Sequence, residues 1–170
     1  MMIDNIMPIH TISHENIEYL EFQSKGNATQ FILPFAKTLC KGEGYDIGYC
    51  KEEWKLPGAI GIDKGDNSGL DANNLPNGLV DYIFSSHCLE HVENWVDTLD
   101  YWLSHIKSGG VLFLYLPDYS QTYWRPWNNK KHRGIMNSQY IKDFLAYKKC
   151  KNIFVSGIDL NNSFTIVCEV

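Results

Sequence analysis

Three observations predict an α/β fold with a mostly parallel sheet and helices on both faces. Residues 80–84 and 111–116 are apolar runs of strand length, and two further strands follow the last predicted helix. Between the two runs, apolar side chains recur at helical spacing until Gly109 and Gly110, which we take as the helix stop. These apolar positions are Leu89, Val92, Val96, Leu99, Trp102, Leu103 and Ile106. A helix that connects two strands in this way makes the strands parallel. The two strands after the last helix add one antiparallel edge strand.

The other elements follow in chain order. Residues 1–40 carry two helical patterns, the first at residues 17–22, and predict an N-terminal helical segment that packs on the core. Pro34 is expected near the start of the second helix. Residues 64–78 are rich in Gly, Asn and Asp, which predicts a loop, and a helix is expected near residues 140–147. The predicted strands are residues 45–48, 59–63, 80–84, 111–116, 153–155 and 164–170.

Length and composition indicate a single domain. The 170 residues suit one core, so residues 41–170 are predicted to form the functional domain. Fifteen basic and twenty acidic residues give a net charge of −5, which disfavours nucleic acid as a partner. Without a run of about 20 apolar residues or a secretory signal, a cytoplasmic protein with no membrane partner is expected. The five cysteines contain no C-x-x-C pair and are expected to be free thiols.

Polar residues follow the apolar strands, at the end where parallel strands deliver ligand contacts. Ser85, Ser86 and His87 come directly after one strand, and Asp63 ends another. Asp63 lies 17 residues after Asp46. That spacing is near the roughly 20-residue offset at which a carboxylate meets ribose hydroxyls in dinucleotide-binding folds. A carboxylate accepts from both hydroxyls of a diol, so this sheet edge is the predicted ligand site.

Five pieces of the sequence lie at the ends of the predicted strands or beside them. They are Asp46-Ile47-Gly48, Gly61-Ile62-Asp63, the loop at residues 71–76, SSHCLEHV at residues 85–92, and Lys107-Ser108-Gly109-Gly110 before the strand that ends in Leu116-Pro117-Asp118. Their order resembles that of class I S-adenosylmethionine-dependent methyltransferases. Over residues 44–170 the set resembles the small type 11 methyltransferase domain. The resemblance implies a Rossmann-like methyltransferase fold with S-adenosylmethionine as cofactor, S-adenosylhomocysteine as product and no metal.

The resemblance also implies which residues bind the cofactor. Asp63 would hold the ribose, Asp71 would lie beside the adenine, and the serines and histidine after the third strand would lie near the reacting methyl. The cofactor set implied in this way is Asp46, Gly48, Tyr49, Asp63, Lys64, Asp71, Ala72, Ser85, Ser86 and His87. The glycine motif is altered, because Cys50 and Glu52 stand where family members continue with glycines. Their side chains occupy space that glycine leaves open.

Residues 119–136, YSQTYWRPWNNKKHRGIM, combine aromatic side chains with a basic cluster. Aromatic faces and long donors suit sugars and phosphorylated metabolites, and the segment resembles a loop of methyltransferases found among glycan enzymes. We therefore predict a polar small-molecule acceptor, with sugar-linked compounds as the indicated class. The predicted acceptor-binding residues are Asp118, Tyr123, Trp124, Arg125 and His132. His132 is the first candidate for the catalytic base and His87 the second, because a histidine titrates near neutral pH.

Two other classes of function stay open. The altered glycine motif is compatible with a protein that binds S-adenosylmethionine but performs other chemistry, or none. His87, Glu90 and His91 also form an H-x-x-E-H pattern, which supplies two zinc ligands and a base in inverzincin hydrolases. Here the pattern follows a strand instead of lying within a long helix, so a zinc hydrolase is the minor alternative. The oligomeric state is open, a homo-oligomer included.

Overall fold

The computed structural model describes residues 11–14, 17–20 and 29–170. The strands and helices, in chain order, are β1 Thr11–His14, β2 Ile17–Leu20, α1 Thr29–Leu39, β3 Gly44–Ile47, β4 Ile60–Ile62, β5 Val80–Ser86, α2 Trp95–Leu103, β6 Ile106–Pro117, α3 Ser138–Tyr147, β7 Lys151–Val155 and β8 Ser163–Glu169. Single 3-10 turns lie at Glu52–Trp54, Leu89–His91 and Thr122–Trp124.

A six-stranded sheet forms the centre of the described residues, with strand order β4-β3-β5-β6-β8-β7. Strands β3 to β6 are parallel to one another, and α2 provides the crossover from β5 to β6. Strand β8 pairs antiparallel with β6 on one side and with the edge strand β7 on the other. The predicted α/β fold, with its mostly parallel sheet and antiparallel edge pairing, is confirmed.

Helices cover both faces of the sheet, because alternate strand residues point to opposite sides. On one face, Tyr82, Phe84, Phe113 and Tyr115 form a buried cluster with Ala36 of α1. On the other face, a larger cluster joins strand residues to α2 and α3. Its buried members include Ile47, Ile83, Leu112, Leu114, Leu99, Trp102, Ile141 and Leu145. The prediction of helices on both faces is therefore confirmed.

Among its described residues, the N-terminal segment is only partly helical. Strands β1 and β2 form an antiparallel hairpin, so Ile17 lies in a strand instead of the predicted helix. Helix α1 packs on the sheet through Ala36. Pro34 lies inside α1 and not near its start, because the helix already begins at Thr29. The Phe22 end of the first predicted helix lies outside the described residues.

The helix predicted over residues 89–106 is shorter than its apolar pattern suggests. A 3-10 turn occupies Leu89–His91, and α2 begins only after Asn94. The Asn94 side chain accepts a hydrogen bond from the backbone N–H of Asp97, which satisfies one free donor at the helix start. The helix then ends at Leu103. Because the helix does not extend back beyond Asn94, the preceding turn can face the sheet edge where the polar residues lie.

The glycine pair Gly109-Gly110 does not stop the helix, so that prediction is wrong. Strand β6 already begins at Ile106, and both glycines lie within it. The pairing register of β5 and β6 shifts just after Val80, and Gly109 has a φ of +81°. Glycine adopts such angles without strain, so the pair forms an irregularity in the strand instead of ending a helix.

Within residues 29–170, all five cysteines are free thiols, as predicted. Among the described residues, no helix is long and apolar enough to cross a membrane.

Candidate active site

A cavity of about 1100 Å³ lies at the carboxyl ends of β3, β4 and β5. Because the ends of parallel strands meet at one edge, the residues that follow them are brought together there. The cavity exceeds the roughly 300–1,000 Å³ of most small-molecule sites, so it has room for two small ligands. Of the residues selected from the sequence, Gly48, Tyr49, Asp63, Lys64, Asp71, Ala72, Ser86, His87, Tyr123, Trp124 and His132 line it.

The turn after β3 keeps a glycine-like backbone despite its altered sequence. Gly48 has a φ of +83°, and a Cβ atom there would lie 2.5 Å from the Cβ of Cys88. Cys50, where the resemblance implies a glycine, also has a positive φ of +62°. The backbone N–H of Cys50 donates to Asp63 Oδ2 at 3.1 Å, and Gly65 N–H donates to Oδ1 at 2.7 Å. Asp63 therefore ties the turn to the end of β4, while each oxygen keeps a further lone pair for a ligand.

Asp46 and Ser85 lie behind the cavity and not on its wall. Asp46 is buried and its Oδ2 accepts from the backbone N–H of Leu56 at 2.6 Å. Burial raises the pKa of Asp46 to about 7, although the Leu56 hydrogen bond acts in the opposite direction. The Ser85 hydroxyl donates to the backbone carbonyl of Ile47 at 2.9 Å. Ser85 therefore joins two neighbouring strands, and Asp46 holds the segment that precedes β4. These positions differ from the direct cofactor contact that the resemblance implies.

The Tyr49 ring covers the start of β4 at one end of the cavity. A Cβ atom on Gly61 would lie 2.5 Å from this ring, so only a glycine allows the close approach. Asp71 and Ala72 line the same cavity in the loop after β4. Asp71 Oδ1 accepts from the backbone N–H of Asn73 at 2.7 Å, which fixes the loop conformation.

Three histidines surround a buried carboxyl group at the other end. Glu90 is fully buried, and its Oε1 lies 3.6 Å from His87 Nδ1 and 3.7 Å from His91 Nε2. Neither oxygen of Glu90 has a hydrogen-bond partner within the described residues. Glu90, His91 and His132 each offer one polar atom, and these three atoms lie within 4.8 Å of one another. The close set is thus not the His87, Glu90, His91 trio of the predicted zinc alternative.

Burial shifts the pKa values of this cluster. Burial, followed by the charges of His132 and His91, lowers the pKa of His87 to about 3. Burial and the charge of His91 lower the pKa of His132 to about 4, against a hydrogen bond with the backbone of Trp124. Burial raises the pKa of Glu90 to about 7, while His91 acts to lower it. The imidazoles of His87 and His132 are therefore neutral at neutral pH.

The loop after β6 is docked onto the Leu89–His91 turn. The backbone carbonyl of Glu90 accepts from the N–H groups of Arg133 at 2.7 Å and Gly134 at 3.1 Å. The imidazole of His132 stacks on the indole of Trp124, with ring centroids 5.3 Å apart. These contacts carry His132 to Glu90 although 42 residues separate them in the chain.

Two residues selected as acceptor-binding lie outside the cavity wall. Asp118 is buried, and its Oδ1 accepts from the backbone N–H of Ser120 at 2.9 Å. The Arg125 guanidinium donates from Nε to the carbonyl of Tyr119 at 3.0 Å and lies over the Trp127 ring. Both side chains are used within the loop itself, so they shape the loop and are not lining residues of the cavity.

The cavity also contains residues that sequence analysis did not select. Thr29 donates from Oγ1 to Ser86 Oγ at 2.9 Å, and Thr98 donates to Asn73 Oδ1 at 2.7 Å. Trp54 lines the cavity from the 3-10 turn after β3. A threonine at a helix start or on a helix face is common and gave no signal for a site. Their positions depend on packing between distant segments.

This arrangement defines a Rossmann-like α/β protein with a ligand cavity at its strand ends, the architecture of class I methyltransferases. Residues 2–148 match the family model of a methyltransferase domain. The chain therefore belongs to this family of methyltransferase domains, and the resemblance noted in the sequence is confirmed. No curated protein matches the sequence.

Solved structures support the fold. A methyltransferase described as S-adenosylmethionine-dependent, from Archaeoglobus fulgidus, is 16% identical, with a TM-score of 0.65 over 88% of this chain and 98% of its own. A possible histamine N-methyltransferase from Thermotoga maritima is 14% identical, with a TM-score of 0.62 over 87% and 91%. The N-methyltransferase NodS from Bradyrhizobium japonicum, solved with S-adenosylhomocysteine, is 14% identical, with a TM-score of 0.60 over 88% and 87%.

Proposed function

We propose that the chain transfers a methyl group from S-adenosylmethionine to a polar small-molecule acceptor. The observation that carries the proposal is the pairing of Asp63 with the Cys50 turn at the mouth of a cavity large enough for two ligands. Family membership supports the reaction type, and three similar folds carry methyltransferase descriptions, one of them solved with the cofactor product.

The cofactor fits the end of the cavity near β3 and β4. Asp63 has free lone pairs for ribose hydroxyls, and the left-handed backbone at Cys50 lets the turn approach a ligand closely. Asp71 and Ala72 line the place expected for adenine, while Ser86 lines the route toward the histidine cluster. When bound, S-adenosylmethionine supplies an electrophilic sulfonium methyl. The protein then has to position the acceptor and receive its proton.

The acceptor fits the other end, between the histidine cluster and the loop after β6. Tyr123, Lys131 and Arg133 line the cavity there and offer an aromatic face and cationic donors. Such a wall suits a hydroxyl-rich acceptor, so we retain sugar-linked compounds as the first class to screen. His132 lies on the same wall and remains the first candidate to receive the acceptor's proton, with His87 behind it.

Calorimetric titration with S-adenosylmethionine and S-adenosylhomocysteine tests the cofactor half of the proposal. We expect micromolar binding that is lost in Asp63→Ala, because the variant removes the ribose acceptor and loosens the Cys50 turn. Asp143→Ala is the matched control, since Asp143 is exposed on α3, far from the cavity wall. Binding that survives in Asp63→Ala, or none by the intact protein, would contradict the proposal.

A second candidate function is cofactor binding without methyl transfer. It is favoured by one observation, the Cys50 side chain in the turn after β3, where the resemblance implies glycine. A screen of sugar and metabolite acceptors with methyl-labelled cofactor separates the two. Tight binding with no labelled product from any hydroxyl- or amine-bearing acceptor would favour the second function, and His132→Ala with full turnover would remove His132 from the mechanism.

A further inference from the structure

Hydrogen bonds determine which ring nitrogen carries a proton in the histidines around Glu90. His91 Nδ1 lies 3.0 Å from the backbone carbonyl of Lys131, which can only accept, so Nδ1 carries the proton. In the neutral imidazole the other nitrogen, Nε2, presents a lone pair, and it is the atom that faces Glu90 Oε1 at 3.7 Å. In that form two electron-rich atoms face each other.

The proton on the His87 ring is assigned from its hydrogen-bond partners in the same way. The Ser163 hydroxyl lies 3.1 Å from the carbonyl of Asn161 and 2.9 Å from His87 Nε2. When it donates its single proton to that carbonyl, it accepts from His87 Nε2. The lone pair of His87 is then on Nδ1, which lies 3.6 Å from Glu90 Oε1. A second imidazole lone pair therefore also faces the buried carboxyl group.

His132 completes the set. Its imidazole stacks on the Trp124 indole and lies edge-on to the His91 ring, with the centroids of the two imidazoles 4.8 Å apart. One ring nitrogen of the neutral His132 imidazole presents a lone pair. Metal-binding histidines typically donate their second ring N–H to a backbone carbonyl, which fixes the tautomer that binds the metal. His91 has this arrangement, through the carbonyl of Lys131.

The Glu90 carboxyl group is the observation that points to a ligand. It is fully buried, and neither oxygen accepts a hydrogen bond within the described part of the chain. A buried carboxylate without donors is costly unless it is protonated or bound to a cation. The imidazole lone pairs around it supply no proton, whereas a metal ion would satisfy the carboxylate and the imidazoles together.

We propose that Glu90, His91 and His132 bind one divalent metal ion, with Zn²⁺ as the ion that their two nitrogens and one oxygen suit best. Zinc binds such atoms at about 2.1 Å in a tetrahedral arrangement, so two ligand atoms on one ion are about 3.4 Å apart. The observed spread of up to 4.8 Å therefore has to contract by roughly 1.4 Å. His91, whose side chain is 41% exposed, has the freedom to make that movement.

Three protein ligands leave a coordination position open, and all three residues line the cavity. A hydroxyl oxygen of the acceptor can occupy that position, where the ion would lower its pKa. This extension rests on the proposed methyl transfer, whereas binding of the ion does not. It also gives His132 the role of a ligand in place of that of a base.

Zinc titration of chelator-treated protein, without cofactor, tests the inference. We expect one equivalent bound per chain and retained through dialysis, with affinity at least about tenfold lower in His91→Ala, His132→Ala and Glu90→Gln. His105→Ala is the control, because His105 lies at the end of α2, away from the cavity wall, and it should bind zinc like the unmodified protein.

Substoichiometric zinc, or zinc that His91→Ala and His132→Ala retain at full affinity, would overturn the inference. Substoichiometric zinc is the result expected if Glu90 and the histidines hold only a proton. His91→Ala is the decisive variant, because a partly exposed side chain can be removed with little risk to the fold, which circular dichroism checks. The zinc titration tests only metal binding, and the calorimetric titration tests only cofactor binding. Failure of one proposal is therefore distinguishable from failure of the other.

Discussion

The Trp124 indole and the His132 imidazole are parallel within 6°, with ring centroids 5.3 Å apart. Trp124 is almost fully buried, and its Nε1 has no hydrogen-bond partner within the described residues. The indole therefore contributes a flat apolar surface that sets the plane of the imidazole, and its polar atom adds nothing. Whatever His132 binds, its orientation depends on this stack.

Replacing Trp124 tests that dependence. Trp124→Ala should lower the free energy of unfolding by about 3–5 kcal/mol and weaken zinc binding, because it removes a buried ring and frees His132. Trp124→Phe keeps a stacking ring and deletes an unpaired buried donor, so its loss of stability should be clearly smaller. Urea unfolding and zinc titration of both variants make the comparison. Equal losses of stability and of zinc affinity in Trp124→Phe and Trp124→Ala would show that the stacked ring does not determine either property.

Asp46 should make stability depend on pH. Its carboxyl pKa is about 7 in the folded chain against 3.8 ordinarily, so between pH 4 and 7 the folded state holds a proton that the unfolded state releases. Stability from this group is full below pH 4 and is lost as the pH rises toward 7, by up to about 1.4 kcal/mol per pH unit. Asp46→Asn is neutral throughout and can still accept from Leu56 N–H.

Urea unfolding at several pH values gives the slope of the free energy of unfolding against pH for the intact protein and for Asp46→Asn, and the two slopes are then compared. The difference isolates Asp46, because Glu90 is present in both proteins and its raised pKa contributes equally. Asp143→Asn, on an exposed face of α3, should leave the slope unchanged. Parallel curves for the intact protein and Asp46→Asn would mean that the folded Asp46 is already ionised at pH 5.

The sheet and the location of the cavity could be predicted because their signals are local. Apolar runs of strand length identified the strands, and the polar residues directly after them, such as Asp63 and Ser86, line the cavity. Gly109 was misinterpreted because glycine serves equally at helix ends and in irregular strands, and only the pairing of β5 with β6 distinguishes the two.

Local sequence patterns do not predict the histidine cluster. Glu90 and His91 belong to one sequence pattern and His132 to another, and nothing in the 40 residues between His91 and His132 indicates that they meet. The backbone bonds from Arg133 and Gly134 to Glu90 create that proximity, and such bonds have no sequence signature. Conversely, Asp46 matched the family motif but lies behind the wall, because a strand alternates its side chains between faces.

Two glycines with nearly equal backbone angles allow the turn after β3 to be tested for close packing. Gly48 has a φ of +83° and Gly58 a φ of +87°, so alanine is strained to a similar degree at both. An added Cβ at Gly48 would lie 2.5 Å from Cys88 Cβ, whereas nothing lies within 4 Å at Gly58. Gly48→Ala should therefore be the more destabilising substitution, beyond the roughly 1–3 kcal/mol of backbone strain that both share.

Thermal and urea unfolding of the two variants, with cofactor titration alongside, measures this prediction. Gly48→Ala should also weaken cofactor binding, since relief of the contact has to move the turn away from Cys88. Gly58→Ala should bind the cofactor normally. Equal stability losses for the two variants would show that backbone strain alone governs both positions.

Cys50 offers the most direct test of the altered glycine motif. Its φ of +62° costs a residue with a side chain about 1–3 kcal/mol, a strain that glycine would relieve. Glycine also adds freedom to the unfolded chain, so Cys50→Gly should change the free energy of unfolding by less than about 1 kcal/mol. Its affinity for S-adenosylmethionine should rise several-fold, because the side chain leaves the cavity wall while the N–H to Asp63 stays. Cys50→Ala removes the thiol but keeps Cβ and the strain, and calorimetry should place it near the unmodified protein. A gain shared by Ala and Gly would assign the effect to the sulfur atom instead of the backbone.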